Sequence, residues 1–391
     1  MEVDTVTTFW AIEPEELQTH PYWLLTQAVH RGDVAAVQRL LDAGTALLPM
    51  RPLPSSLNPL VIEATCCGQR DVLELVLQRD PAAITAVDVA HGASPLHWAA
   101  LLGDWGSAHL LLDKRADVLC ACWEGGLLPL HCAALRGHRS LLELLLDRGS
   151  PIDAPTTTRG ATALILAAEQ GFLHCVEALL ARQANLGLAD RQGVTPLLAA
   201  AAGGHSGTAR LLLQRGADPG ARDSVQRRTT LHWAAYHGLD DVAEEVLQGG
   251  AMEVDAEDAG QETPLALAAR RGCSSLVETL LQRGATVDRP GAQGMTPLMS
   301  AAFFGHAPVV RALLGRGASV RAADAARGRS PLHWSAASDS ADVAQLLLES
   351  AADVALLDRR GMTPMDLAVE SGAEDVIQLM RSLADRVNAQ G

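Results

Sequence analysis

One ten-residue phrase, SPLHWAALLG from Ser94 to Gly103, returns along the chain as TTLHWAAYHG ending at Gly238, TPLALAARRG at Gly272 and TPLMSAAFFG at Gly305. Its closing glycines fall at Gly32, Gly68, Gly103, Gly137, Gly171, Gly204, Gly238, Gly272, Gly305 and Gly372, with Asp339 in the one remaining slot, and successive gaps run from 33 to 36 residues. A fixed period of this size means one supersecondary unit that buries its apolar face only against copies of itself. That constraint overrides the two or three domains that 391 residues would otherwise suggest.

The unit follows from local chemistry. Thr or Ser before Pro, as at Thr263-Pro264 and Thr296-Pro297, opens a helix, because the hydroxyl accepts an orphan backbone N–H and proline's fixed φ suits the first helical position. Small residues such as Ala99, Ala100, Ala268 and Ala269 let a neighbouring helix approach closely. The glycine then supplies a left-handed ending. A second helix follows, with apolar runs at Leu110 to Leu112, Leu144 to Leu146 and Leu346 to Leu348. Polar, glycine-bearing connectors such as Asp190-Arg191-Gln192-Gly193 read as turns or hairpins.

With its opening Thr-Pro-Leu-His wording and its period, the chain resembles the ankyrin-repeat proteins over about residues 22 to 387. The resemblance implies an all-α fold of helix-turn-helix units joined by β-hairpin-like connectors, an elongated solenoid of about eleven units. Residues 1 to 21 are expected to form a short acidic leader in which Phe9 and Trp10 fold back over the first unit. Residues 22 to 387 form a single repeat domain: a capping unit at 22 to 58, a divergent repeat at 59 to 93, regular repeats at 94 to 362 and a C-terminal capping repeat at 363 to 387, before a tail at 388 to 391. The stretch TALLPMRPLPSSLNP carries four prolines and reads as an irregular loop. Asp339 in the glycine slot implies a left-handed backbone there.

Composition narrows the function. Aromatics are 3% against 48% hydrophobic residues, so Ala and Leu build the core. A net charge of -15 argues against nucleic-acid binding, which needs clustered cations. The acidic N-terminus lacks the features of a signal peptide, and no apolar run reaches the roughly 20 residues that span a bilayer. Seven cysteines, an odd number, read as free thiols of a reducing compartment. The expected place is the cytoplasm or the nucleus, and the expected state a monomer. A single lysine, Lys114, excludes a P-loop, and no HExxH, CxxC, GxSxG or kinase signature is present. Cys120, Cys122, His131 and Cys132 offer zinc-compatible groups at a spacing that fits no common finger. No catalytic residue, cofactor or metal site is expected.

His97, His131, His232 and His333 occupy one slot of the repeat. The resemblance implies that they hydrogen-bond the connector backbone. Trp98, Trp233 and Trp334 follow three of them, where an indole either packs between helices or lines the concave groove and anchors a partner. Trp123 stands at a connector tip. Connector arginines Arg159, Arg191, Arg227, Arg228, Arg289, Arg359 and Arg360, with Arg327 and Arg329, form a second candidate set, either a basic row for an acidic peptide or local partners of Asp190, Asp223, Asp288, Asp324 and Asp358. The expected function is a non-catalytic scaffold or adaptor for protein partners. The alternative is a substrate-recruiting adaptor of a ubiquitin ligase or another enzyme complex.

Overall fold

The computed structural model of the chain describes residues 21–44, 59–88, 90–122, 125–249 and 253–388. The expectations for the leader with Phe9 and Trp10, for most of the proline-rich loop, for Trp123 and for the final residues lie outside them. Among the described residues every regular element is helical and none is a strand. Contacts divide the chain between Arg191 and Gln192 into two compact units, each a stack of helix pairs.

In the first unit the first helices of successive pairs are α1 (Pro21–His30), α3 (Leu60–Cys66), α5 (Pro95–Leu102), α7 (Pro129–Arg136) and α9 (Ala163–Glu169). Their partners are α2 (Val34–Asp42), α4 (Arg70–Arg79), α6 (Trp105–Asp113), α8 (Arg139–Asp147) and α10 (Leu173–Ala181). In the second unit the first helices are α11 (Pro196–Ala202), α13 (Thr230–His237), α15 (Pro264–Arg271), α17 (Pro297–Phe303), α19 (Pro331–Ala337) and α21 (Pro364–Ser371). They pair with α12 (Ser206–Gln214), α14 (Asp240–Gln248), α16 (Ser274–Gln282), α18 (Ala307–Gly315), α20 (Ala341–Glu349) and α22 (Glu374–Asn388). Within each unit first helices pack on first helices and second on second. Eleven pairs match the expected number of units; the short 3-10 turn at Pro81–Thr85, inserted after α4, was not expected.

The core is a run of thin layers. Ala99, Ala100, Ala133, Ala167, Ala268 and Ala269 are fully buried where first helices meet, and Leu141, Leu142 and Leu145 of α8 have 1% exposure or less. Burying each such leucine contributes roughly 2 kcal/mol. Helix starts split by sequence. Where no histidine follows, the threonine hydroxyl accepts the third N–H of its helix, as Thr195 does from Leu198 at 3.3 Å and Thr263 from Ala266 at 3.2 Å. At Ser94 and Thr229 the hydroxyl instead meets the histidine ring, at 2.8 Å in both cases.

Helix ends are finished by the following repeat. His138 donates from Nε2 to Leu101 O at 3.1 Å, His306 to Arg270 O at 3.0 Å, and Arg271 from Nε to Tyr236 O at 3.1 Å. These donors satisfy carbonyls that a helix C-terminus leaves open. Asp339 has the expected left-handed backbone, with φ 53°. Its Oδ1 also accepts the N–H of Val376, in the first turn of α22, at 3.1 Å, so glycine would relieve the strain but remove a cap. Asp339→Ala is therefore expected to lower unfolding free energy by about 2 kcal/mol, combining lost cap and left-handed strain, and Asp339→Asn by under about 0.5 kcal/mol. Paired denaturant titrations measure both.

The connectors are turns, not ladders. Asp223 accepts N–H groups of Val225, Gln226 and Arg228 at 3.1, 2.5 and 3.0 Å. Asp324 closes its own loop in the same way with Arg327 and Arg329. Neighbouring tips are joined through single acceptor carbonyls: Thr157 N and Thr158 N to Gly125 O and Arg191 N to Arg159 O in the first unit, Ser224 N to Gln192 O, Ala259 N to Gln226 O, Ala325 N to Gln293 O and Arg359 N to Arg327 O in the second. The approach is close enough at Gly294, φ 76°, that a Cβ would lie 2.5 Å from Ala325 N. One acceptor carbonyl per tip is too little for a strand pair to register.

Candidate protein-binding face

The four histidines are structural links. Each Nδ1 accepts its own helix-cap N–H: Ser94 at 3.1 Å, Leu128 at 2.9 Å, Thr229 at 3.1 Å and Ser330 at 3.2 Å. Nε2 therefore carries the proton and donates to Leu127 O, Ala154 O, Glu262 O and Met362 O in the next connector. Burial and the missing acceptor for a second proton hold all four rings neutral. Desolvation lowers the pKa of His97, His131 and His333, and that of His232 to about 4.

The tryptophans behave differently from one another. Trp98, half-buried, donates from Nε1 to Asp88 Oδ2 at 3.1 Å and meets His91 edge-on at 6.2 Å. It is tied to a buried carboxylate that also holds the Ala93 N–H. Trp233, also half-buried, has the Arg228 guanidinium 4.8 Å from its ring centre, Tyr236 edge-on at 6.0 Å and His237 stacked at 6.3 Å. Trp334 is half-buried under Arg329 at 5.2 Å and Arg327 at 5.8 Å, and Phe303 meets it edge-on at 5.4 Å. Its indole Nε1 is buried without a hydrogen-bond partner.

Three residues that the sequence reading passed over complete this surface. Phe303 and Phe304 are 37% and 50% exposed and lie edge-to-face at 5.0 Å. Tyr236 lies beneath Arg271, whose guanidinium is 4.8 Å from the ring centre. All three stand one or two places before a closing glycine, a register that the repeat leaves free of packing duties. They were legible as variation within that register, because the equivalent places hold Leu101, Leu135 and Ala202 elsewhere. The first helices α13, α15, α17 and α19 pack in sequence, so the second unit carries an aromatic and arginine-bearing face across four adjacent repeats.

The expected arginine row divides in two. Arg159 is held by Glu169 at 2.6 Å and Asp190 at 2.7 Å, Arg228 by buried Asp258 at 3.2 Å, Arg289 by Glu257 at 2.7 Å and Arg360 by Glu370 at 2.7 Å. Arg329 reaches Asp358 at 3.5 Å. Arg191 donates to Thr158 O at 2.8 Å. Arg191, Arg227, Arg327 and Arg359 are exposed and hold no carboxylate among the described residues. Of the anticipated acidic partners, Asp190 and Asp358 do bind arginines, while Asp223 and Asp324 serve turns and Asp288 accepts the Ser319 N–H at 3.1 Å.

None of the seven cysteines is joined in a disulfide, and no helix among the described residues is long and apolar enough to cross a membrane. A family model described as ankyrin repeats in three copies matches residues 130–223, 231–324 and 298–390, and a second, ankyrin repeats in many copies, matches 96–146. These spans cover well over half of the chain. No curated protein matches it.

Proposed function

The chain belongs to the ankyrin-repeat family, and from that premise we propose that it is a non-catalytic adaptor whose second unit holds an acidic, aromatic-anchored segment of a protein partner. The observation that carries this reading is the exposed pair Phe303 and Phe304, of which Phe303 meets Trp334 edge-on while the carboxylate-free Arg327, bonded through its backbone to Arg359, lies over the Trp334 ring. Large apolar side chains flanked by arginine are the residue types on which binding energy concentrates. Arg327 and Arg359 sit on neighbouring tips joined backbone to backbone. Neither is paired with a carboxylate among the described residues, and Arg327 presents its charge over the Trp334 ring. Because the chain as a whole carries -15, they attract an acidic segment only at short range, within about 10 Å.

Panning a random peptide library on the whole purified chain tests the reading. Enriched peptides should pair aromatic or leucine anchors with Asp and Glu; enrichment without acidic residues, or none, counts against it. For a selected peptide, Arg327→Glu with Arg359→Glu should weaken binding about tenfold at low salt. The difference should shrink at high salt as screening removes it. Equal loss at both salt concentrations would mean that the variants had disturbed the fold.

A further inference from the structure

Away from the aromatic face, the first unit brings together His30, the last residue of α1, with Glu63 inside α3 and Cys67, which closes that helix. Ring nitrogen, carboxylate oxygen and sulfur all lie within 4.8 Å of one another, and His30 Nε2 is 3.2 Å from Glu63 Oε2. Among the described residues no other three His, Cys, Asp or Glu side chains converge so closely. We propose that His30, Glu63 and Cys67 form a zinc-binding site with one open coordination position.

Four features carry this beyond proximity. The donors are one imidazole, one thiol and one carboxylate, the groups zinc prefers. Glu63 and Cys67 are four residues apart, so α3 presents them on one face a turn apart. All three side chains are half-buried, which leaves an entry path while limiting water. Glu63 also departs from the repeat. Its slot, five places before the closing glycine, holds Gln27, Trp98, Cys132, Leu166, Ala199, Trp233, Leu267, Ser300, Trp334 and Leu367 elsewhere, and a carboxylate only here. Bonds of about 2.0 to 2.3 Å around a tetrahedral ion bring its donors to roughly 3.3 to 3.8 Å from one another, so closing the cluster needs only side-chain rotations on the order of 1 Å. Binding releases two protons to solvent, that of the Cys67 thiol and the one held between His30 Nε2 and Glu63 Oε2, and the fourth position takes water.

Cobalt(II) is the probe, added to the whole reduced chain. The expected result is the visible ligand-field spectrum of tetrahedral cobalt with a thiolate charge-transfer band, saturating at one equivalent and bleached by zinc. Cys67→Ser should abolish the charge-transfer band, Cys66→Ser should keep it, and His30→Ala or Glu63→Gln should weaken cobalt binding roughly tenfold or more. A second measurement needs no variant: zinc should slow alkylation of Cys67 in the wild-type chain and leave Cys273 unaffected. No tetrahedral spectrum at one equivalent, a spectrum unchanged by Cys67→Ser, or alkylation of Cys67 indifferent to zinc would each overturn the site.

Discussion

Between pH 6.5 and 4 the protein is expected to lose stability steeply, and His232 should account for the largest single share. Its ring is fully buried and neutral, with Nδ1 accepting the Thr229 N–H and Nε2 donating to Glu262 O. The unfolded chain has no such constraint, so its imidazole protonates near 6.5 while the folded one resists to about 4. Below 6.5 the unfolded state therefore binds more protons, and each fall of one pH unit across that window removes up to about 1.4 kcal/mol for this group. Over the whole window the loss is about 3 kcal/mol. His97, His131 and His333 are shifted in the same direction for the same reason and deepen the loss. At pH 7, His232→Ala should itself cost about 3 kcal/mol or more, since it strands the Thr229 N–H, the Thr229 hydroxyl and the Glu262 carbonyl in a buried site. The deciding measurement is the slope of unfolding free energy against pH for wild type and for His232→Gln. A slope unchanged by the substitution would show that this ring titrates normally.

Phe303→Ala with Phe304→Ala is expected to weaken binding of a selected acidic peptide on the order of a hundredfold. Two anchors worth about 1.5 kcal/mol each give that factor. The melting temperature should fall little, because the rings are 37% and 50% exposed and contribute mainly to the surface. The contrast is Val354→Ala, which is 53% exposed on a connector outside the aromatic face and should change neither quantity. Undiminished affinity in the double variant would move the binding surface elsewhere; a large drop in melting temperature with it would assign Phe303 to support of Trp334, which it meets at 5.4 Å.

The division between the arginines shows why residue type alone could not locate the binding surface. Arg228 and Arg227 are adjacent in sequence and equally basic, yet Arg228 is committed to Asp258, thirty residues on, and to the Trp233 ring, while Arg227 stands exposed at a turn with φ 55°. Likewise Trp98 and Trp334 fill the same slot in two different repeats. One indole N–H finds Asp88 and the other finds no partner. These outcomes depend on what the neighbouring repeat happens to place within reach.

The sequence by itself determined the repeat, its period and the number of helix pairs, because each unit repeats the same local instructions: a cap, a proline, a small-residue face and a left-handed ending. It also determined the left-handed backbone at Asp339 through the glycine register, while the role of the four histidines came from the family resemblance of their slot and is borne out by their bonds to the next connector. Only the tertiary structure decided which arginines are spent on carboxylates, that Asp339 caps a helix in the following repeat, and that Tyr236, Phe303 and Phe304 share a face with Trp233 and Trp334. It alone brought His30 to Glu63 and Cys67. The physical reason is distance along the chain: periodicity encodes contacts within a unit and between equivalent slots, whereas the pairs Arg228–Asp258, Asp339–Val376 and His30–Glu63 join unlike slots about 30 to 37 residues apart, where no local rule selects the partner.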